Sequence, residues 1–242
     1  MLPVFNLDPT KELVENIQAG QIVLVDKPLT WTSFQVVNKM RYLLKQHLGI
    51  KKIKVGHAGT LDPLATGLLV ICIGRKTKEI EGFANQSKVY TGTFTLGATT
   101  PSFDLETEMD NHFSYDHITN EDVLETAKSF LGEQLQTPPI FSAKKIDGKR
   151  AYKSARQGEE VKMRPNSITI NRFEIIEIEN DKVDFLIEAS KGTYIRSIAN
   201  DFGMKLNSGA HLSGLRRTKS GEFSIENACT IEEYEDYLRS LV

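Results

Sequence analysis

The sequence predicts an α+β fold with a central, mixed but mainly antiparallel β-sheet flanked by helices and loops. Short segments with alternating or continuous apolar residues, typical of strands, recur along the 242-residue chain. Segments with helical spacing lie between them at irregular intervals, without the regular strand–helix alternation of a parallel sheet. No internal repeat, low-complexity tract or Gly/Ser linker divides the chain, so we expect a single domain over 1–242.

The first third of the chain predicts helices and strands in alternation. Asp8 caps a first helix, Pro9 takes its first position, and Gly20 lies beyond its end. The elements predicted next are the buried strand QIVLVDKP, a helix capped by Thr32 or Ser33, the strand LLVICIG and a short helix over 77–84.

The rest of the chain adds strands and two longer helices. In KVYTGTFTLG, alternation places Tyr90, Phe94 and Leu96 on one face of a strand. A helix is predicted over 119–131, a hairpin of two strands over 167–190, and a helix over 193–206. Arg196 lies in the first turn of the last helix, off its apolar stripe.

Residues 138–166 differ from the rest of the chain because basic residues dominate them and large apolar residues are few. Long segments of this kind lie on protein surfaces and often bind a partner. We therefore expect a mobile basic insertion, exposed on the surface.

Composition and charge narrow the function classes. No apolar run approaches the roughly 20 residues that span a bilayer, and the N-terminus lacks the pattern of a signal peptide, which favours a cytoplasmic protein without a membrane partner. The net charge is only −2, but basic residues gather at 51–54, 74–78, 143–156 and 215–219. Such clustering favours a polyanion bound on one side of the protein.

The stretch GHAGTLDPLATG, at 56–67, is the strongest candidate site. It holds three glycines and one carboxylate, Asp62, which Pro63 forces toward an extended backbone. Taken alone, Asp62 reads as an Asx-Pro turn. The chain has no nucleotide-phosphate loop, no GxSxG elbow and no His/Cys metal spacing, so a lone carboxylate and basic surface remain.

The stretch 56–74, GHAGTLDPLATGLLVICIG, resembles the catalytic motif of the TruB family of pseudouridine synthases. Further blocks that resemble this family follow in the expected order over roughly residues 20 to 230: VLVDKPLTWTS, KVYTGTFTLGATTPSFD, QTPPIFSAKKIDGKRAYKSARQG, ASKGTYIRSIANDFGMKL and LSGLRRTKSGEFS. The resemblance implies the pseudouridine synthase fold. It also implies conversion of uridine 55, in the T arm of tRNA, to pseudouridine without a metal or other cofactor.

The resemblance also implies residue roles. Asp62 matches the essential aspartate, and Tyr90 matches the tyrosine that packs on the target base. Arg196 matches the arginine that pairs with the aspartate. Leu215 matches a leucine that lines the base pocket, and His57 matches the histidine that contacts the T loop where the base has left the stack. Within the basic insertion, the side chains expected to grip T-arm phosphates are Lys144, Lys145, Lys149 and Arg150.

Partners follow from the same resemblance. We expect tRNA as the substrate, no guide RNA, a monomer, and no C-terminal RNA-binding domain of the PUA type. Two alternatives stay open: a non-catalytic RNA-binding or tRNA-folding module, and a synthase of this family with another RNA target. Residue types alone do not decide whether Asp62 acts as a nucleophile or as a base at the ribose 2′ position.

Overall fold

A computed structural model of the protein describes residues 11–50, 52–141, 145–146, 149–150 and 163–241. For 11–13 and for the four residues within 145–150 it describes the backbone only. The chain separates into two compact units, one of Met1–Lys88 with Arg216–Val242 and the other of Val89–Leu215. The predicted α+β class is confirmed, and the expectation of a single domain over 1–242 stays a prediction.

The elements of the described residues have these bounds. The α-helices are α1 (Lys11–Ala19), α2 (Ser33–Leu48), α3 (Ile80–Ala84), α4 (Asn120–Lys128), α5 (Ile195–Lys205) and α6 (Ile231–Ser240). The strands are β1 (Gln21–Lys27), β2 (Val55–His57), β3 (Ala65–Ile73), β4 (Lys88–Leu96), β5 (Ala98–Thr99), β6 (Asn111–His112), β7 (Gly132–Gln136), β8 (Lys145–Ile146), β9 (Lys149–Arg150), β10 (Asn166–Glu179), β11 (Lys182–Ala189), β12 (Ala210–Ser220) and β13 (Phe223–Ser224).

In the first unit, β3 is the central strand. It pairs antiparallel with β1 along its length and with β2 near its C-terminal end, and the strand order is β1, β3, β12. Helices α2 and α6 pack on these strands through a buried apolar cluster that includes Val25, Val36, Met40, Leu43, Leu44, Leu69, Ile71, Ile231, Tyr234 and Leu238. The continuous apolar run of β3 is explained by this position, because a strand covered on both faces has no side exposed to water.

In the second unit the strand order is β12, β4, β11, β10, β7. Strands β10 and β11 form the predicted hairpin, and Asn180 makes its turn with a positive φ of 54°. Helices α4 and α5 contribute to an aromatic core that contains Phe94, Phe130, Phe173, Phe185 and Phe202. The inward face predicted for β4 is confirmed, because Phe94 and Leu96 are buried in this core and Tyr90 packs against it.

Several boundaries differ from the sequence prediction. Thr32 caps α2 in a capping box with Gln35, so Ser33 is the first helical residue. The predicted helix 77–84 is a 3₁₀ helix (Gly74–Glu79) followed by α3. Asp8 and Pro9, the predicted start of the first helix, lie outside the described residues.

The basic insertion is described only in part. Strands β8 and β9 pair antiparallel within it, with Lys145 opposite Arg150. Lys144 lies outside the described residues, and the side chains of Lys145, Lys149 and Arg150 are not described. The proposed grip on phosphates therefore stays a prediction. No helix in the described part of the chain is both long and apolar enough to cross a membrane.

Candidate active site

The Asp62 loop, residues 58–64, joins β2 to β3 in the first unit. The Ala58 amide donates a hydrogen bond to the Val70 carbonyl at 2.9 Å, and the Ala65 amide donates to the Asp62 carbonyl at 3.1 Å. The start of the loop is therefore bound to β3, and its end is closed by a turn that includes Asp62. Asp62 is half-buried, so its carboxylate is neither fully solvated nor sealed within the core.

The residues on each side of Asp62 are held by the segment that leads into α2. The Ser33 hydroxyl, only 2% exposed, donates to the Leu61 carbonyl at 3.0 Å and accepts from the Leu61 amide at 2.8 Å. The Thr30 amide donates to the Pro63 carbonyl at 2.9 Å. Because hydrogen bonds hold the backbone at both Leu61 and Pro63, the backbone of Asp62 between them has little freedom. This restricts the positions that the Asp62 carboxylate can take.

A buried cation supports the same loop from β1. The Lys27 ammonium is fully buried and donates to the carbonyls of Trp31 (2.6 Å), Pro28 (2.9 Å) and Pro63 (3.4 Å). Burial lowers the pKa of Lys27 to about 8, the negative charge of Asp62 opposes this shift, and Arg217 adds to it. Lys27 therefore stays mainly protonated near pH 7 and places positive charge beside Asp62.

Arg217 holds the loop from β12. Its guanidinium is 1% exposed and donates to the carbonyls of Leu68 (2.8 Å) and Gly59 (3.0 Å). The close approach of β12 depends on Gly67, where φ is +101° and a Cβ atom would lie 2.3 Å from the Arg217 carbonyl oxygen.

The role of Arg217 was not predicted from the sequence. We assigned the basic cluster 215–219 to the binding of a polyanion. In the structure Arg217 is buried, and Arg216 forms a bidentate pair with Asp26 through contacts of 2.6 and 3.1 Å. Both arginines of this cluster therefore support the fold of the first unit.

His57, at the end of β2, has an uncharged imidazole ring with one nitrogen that could contact a substrate. Burial lowers its pKa and the nearby Arg217 lowers it further, so the imidazole is uncharged at pH 7. Its Nδ1 atom is buried and has no hydrogen-bond partner among the residues that the structure describes. A buried polar atom without a partner is uncommon in native proteins, which makes it a candidate for a contact with substrate.

Arg196 belongs to the second unit and is buried in the first turn of α5, although it lies off the apolar stripe. Its side chain donates to the carbonyls of Ser102 (3.1 Å) and Phe141 (3.0 Å) and forms an ion pair of 3.6 Å with buried Asp104. These contacts satisfy the charge and fix the plane of the guanidinium. The sequence prediction gave Asp104 no role, because its pairing with Arg196 spans about 90 residues and has no local signal.

Tyr90 and Leu215 are half-buried residues of the second unit. Tyr90 lies on β4, Leu215 lies on β12, and both pack against the aromatic core. A half-buried ring on a rigid strand can offer a face to a nucleobase while its other atoms stay fixed by packing.

The predicted site residues thus fall in both units. The first unit contains His57, at the end of β2, and Asp62, in the loop that follows, together with Lys27 and Arg217. The second unit contains Tyr90, Arg196 and Leu215. The predicted pairing of Arg196 with Asp62 stays a prediction. Within the described ranges, no group of three or more His, Cys, Asp or Glu side chains is arranged to hold a metal ion.

Comparisons with known proteins identify the family of this chain. Residues 45–195 match the family model for the N-terminal domain of TruB family pseudouridylate synthases, and residues 196–240 match the model for the C-terminal domain of tRNA pseudouridylate synthase B. The chain is 54% identical over 226 residues to the tRNA pseudouridine synthase B of Flavobacterium johnsoniae, which covers 93% of this chain and 99% of the relative.

Solved structures show the same fold. A chain from a Cbf5–Nop10–Gar1 complex matches 99% of this chain with a TM-score of 0.69 and 28% identity. A chain from an H/ACA ribonucleoprotein bound to a substrate RNA that contains 2′-deoxyuridine matches 98% of it with a TM-score of 0.68 and 26% identity. These neighbours are longer, and the present chain spans 64% and 59% of them, respectively.

Proposed function

Because the chain belongs to the TruB family of pseudouridine synthases, we propose that it converts uridine 55 in the T arm of tRNA to pseudouridine, with Asp62 as the catalytic carboxylate. The protein is an isomerase that acts on tRNA, as the relatives named tRNA pseudouridine synthase B indicate. The observation that supports the role of Asp62 is its setting, because Ser33, Thr30 and Lys27 hold the residues on both sides of one half-buried carboxylate.

This arrangement suits the chemistry. The reaction breaks the C–N glycosidic bond, turns the uracil and joins C5 to the same ribose, so atoms are conserved and no cofactor is required. The base has to leave the T-loop stack to reach a protein carboxylate. While the base is detached from the sugar, water has to be kept away, and a carboxylate on a fixed, half-buried loop permits this when RNA covers it.

We assign the remaining site residues supporting roles. Tyr90 supplies a ring for the flipped base, Leu215 lines the pocket for that base, and Arg196 stabilises negative charge near the reacting groups. His57 contacts the T loop, and its neutral imidazole with an available Nδ1 atom supports this role. The insertion side chains Lys144, Lys145, Lys149 and Arg150 bind T-arm phosphates.

We further propose that the enzyme acts as a monomer, without a guide RNA, in the cytoplasm, where tRNA is processed. Similarity supports the part of this proposal that concerns the guide RNA, because the chain is 54% identical to a tRNA pseudouridine synthase B over nearly its full length but only 28% identical to a chain of the Cbf5 complex.

An assay with unmodified tRNA transcripts tests this function. We expect the wild type to form pseudouridine at position 55 alone, whereas Asp62→Asn binds the transcript with a similar Kd and forms no product, because the amide is neither a nucleophile nor a base. Asp236→Asn, which changes an exposed carboxylate, serves as the matched control and retains full activity.

The outcomes separate the alternatives. Product from Asp62→Asn at the wild-type rate would contradict the catalytic role. Product at another position, or only after addition of a guide RNA, would indicate a different RNA target. Tight binding without product from the wild type would favour the non-catalytic RNA-binding module.

A further inference from the structure

A groove in the first unit lies apart from the loop that carries Asp62. Its volume is about 700 Å³, and it lies between α2 and residues 50 and 52–54, which follow this helix. Four of its lining residues are cations, Arg41, Lys45, Lys52 and Lys54, and one is an aromatic residue, Tyr42. No carboxylate of the described residues lines it.

The groove follows from the way α2 ends. Asn38, Arg41, Tyr42 and Lys45 have the spacing i, i+3, i+4 and i+7, so they share one face of the helix. Gly49 then ends the helix in the left-handed conformation, with φ 66° and ψ 13°, and turns the chain back alongside that face. The second wall, formed by residues 50 and 52–54, is anchored because Ile50 is 4% exposed within the core.

Ion pairs among the described residues do not explain the cations of this groove. On the neighbouring face of α2, Lys39 forms an ion pair of 2.9 Å with Glu235. In contrast, no ion pair to a carboxylate of the described residues is found for any of the four groove cations. Lys45 lies in the last turn of α2, where the helix dipole favours a cation, but this reason does not extend to Lys52 or Lys54.

Arg41 and Tyr42 give the groove its geometry. The Arg41 guanidinium is held by donation to the Asn38 side chain on the same helix face at 2.9 Å and to the Val55 carbonyl at 3.3 Å. Tyr42 is 56% exposed, and the Lys39 ammonium lies over its ring at 5.6 Å from the centroid; Phe34, about two turns earlier on α2, is 63% exposed. A row of cations beside an exposed ring is the combination that binds a nucleic-acid strand, with phosphates on the cations and a base on the ring.

We propose that this groove binds backbone phosphates of the tRNA substrate, with a nucleotide stacked on Tyr42, as a second RNA contact separate from the base pocket and the basic insertion. The inference rests on the proposed function, because that function supplies the polyanion. The lining residues 52–54 lead directly into β2, which ends at His57 and is followed by the Asp62 loop, so the groove and this loop are connected by a short stretch of chain.

The test measures the Kd for full-length tRNA transcript between 50 and 300 mM KCl. For the double variant Lys45→Gln with Lys52→Gln, we expect a Kd roughly tenfold higher at 150 mM salt and a salt slope flatter by about 1.5, because each lost phosphate contact removes about 0.7–0.9 from the slope. The rate at saturating tRNA is expected to stay at the wild-type value. The control Lys128→Gln with Lys182→Gln removes the same charge from exposed sites in the second unit and keeps the wild-type slope.

A second pair of variants tests the ring. Tyr42→Leu raises the Kd about fivefold without a change in the slope, whereas Tyr42→Phe binds as the wild type does. An unchanged slope for the lysine variant, or an equal loss in the control, would overturn the proposal, and an unchanged Kd for Tyr42→Leu would overturn the stacking role. Because these results are binding constants, they are distinct from a failure of the wild type to form pseudouridine, which would refute the proposed function instead.

Discussion

Lys27 is a buried ammonium whose pKa is lowered from 10.5 to about 8. Nothing in the sequence indicates this shift, because the carbonyls that receive the hydrogen bonds of Lys27, such as those of Trp31 and Pro63, come together only in the fold. The same limit applies to Arg217 and Asp104, whose partners are distant in sequence. Asp62, Tyr90 and Arg196 were identified because they lie within motifs that resemble a known family.

The shifted pKa of Lys27 predicts a pH-dependent stability. Between pH 8 and 10.5 the unfolded chain binds a proton at Lys27 that the folded protein has released, so this residue makes the free energy of unfolding rise with pH, by up to roughly 3 kcal/mol. Urea denaturation of the wild type and of Lys27→Met across this range checks the effect, since other titrating groups cancel in the difference. Parallel profiles for the two proteins would show that the shift is absent.

At the scale of secondary structure, the start of α2 and the Asp62 loop act as a single assembly. The sequence predicted α2, β3 and the β10–β11 hairpin well, because each has a clear apolar period and a clear cap or turn. It did not predict β12, whose second half, LRRTKS, is polar in composition but carries the buried side chain of Arg217. Contacts formed by polar side chains do not follow the apolar pattern from which elements are recognised.

The contact between Ser33 and Leu61 predicts that changing Ser33 lowers kcat as well as the stability of the protein. Ser33→Ala removes both hydrogen bonds to Leu61 and leaves buried backbone groups unpaired, so we expect about 1–3 kcal/mol of lost stability and a lower kcat with a nearly unchanged KM for tRNA. Ser33→Thr keeps the hydroxyl and should restore much of the kcat.

Thr32→Ala is the matched control for this prediction. It removes the N-cap of α2 at the residue adjacent to Ser33 and costs about 1 kcal/mol of stability. The hydrogen bonds between Ser33 and Leu61 are unchanged, so kcat should stay at the wild-type value. Equal losses of kcat in Ser33→Ala and Thr32→Ala would mean that helix stability, and not the position of the Asp62 loop, controls the rate. Thermal denaturation and steady-state kinetics on the same preparations provide both measurements.

At the scale of the whole molecule, the net charge of −2 does not show that the cationic side chains occupy different environments. The arginines of the 215–219 cluster are engaged within the first unit, whereas the four cations of the groove beside α2 form no ion pair with a carboxylate of the described residues. Charge counts from the sequence do not distinguish these cases, because pairing and burial depend on the fold.

The basic insertion and the groove should contribute independently to tRNA binding. Changing Lys144, Lys145, Lys149 and Arg150 to Gln should flatten the salt slope of the Kd by about 3, and combining these changes with Lys45→Gln and Lys52→Gln should flatten it further by the amount seen for that pair alone. Fluorescence titration over a range of KCl concentrations measures both slopes. A slope equal to that of the wild type would indicate that the insertion does not meet phosphates.

The first unit is assembled from two segments of chain, 1–88 and 216–242, with the second unit between them. During synthesis the ribosome therefore makes Gly59 and Leu68 long before Arg217, whose guanidinium binds their carbonyls. At about 5–20 residues per second, the second unit between these segments takes roughly 6 to 25 s to translate. We expect the Asp62 loop to reach its final geometry only after Arg217 has been made, so a nascent chain lacks an organised Asp62 loop even when the second unit has already emerged.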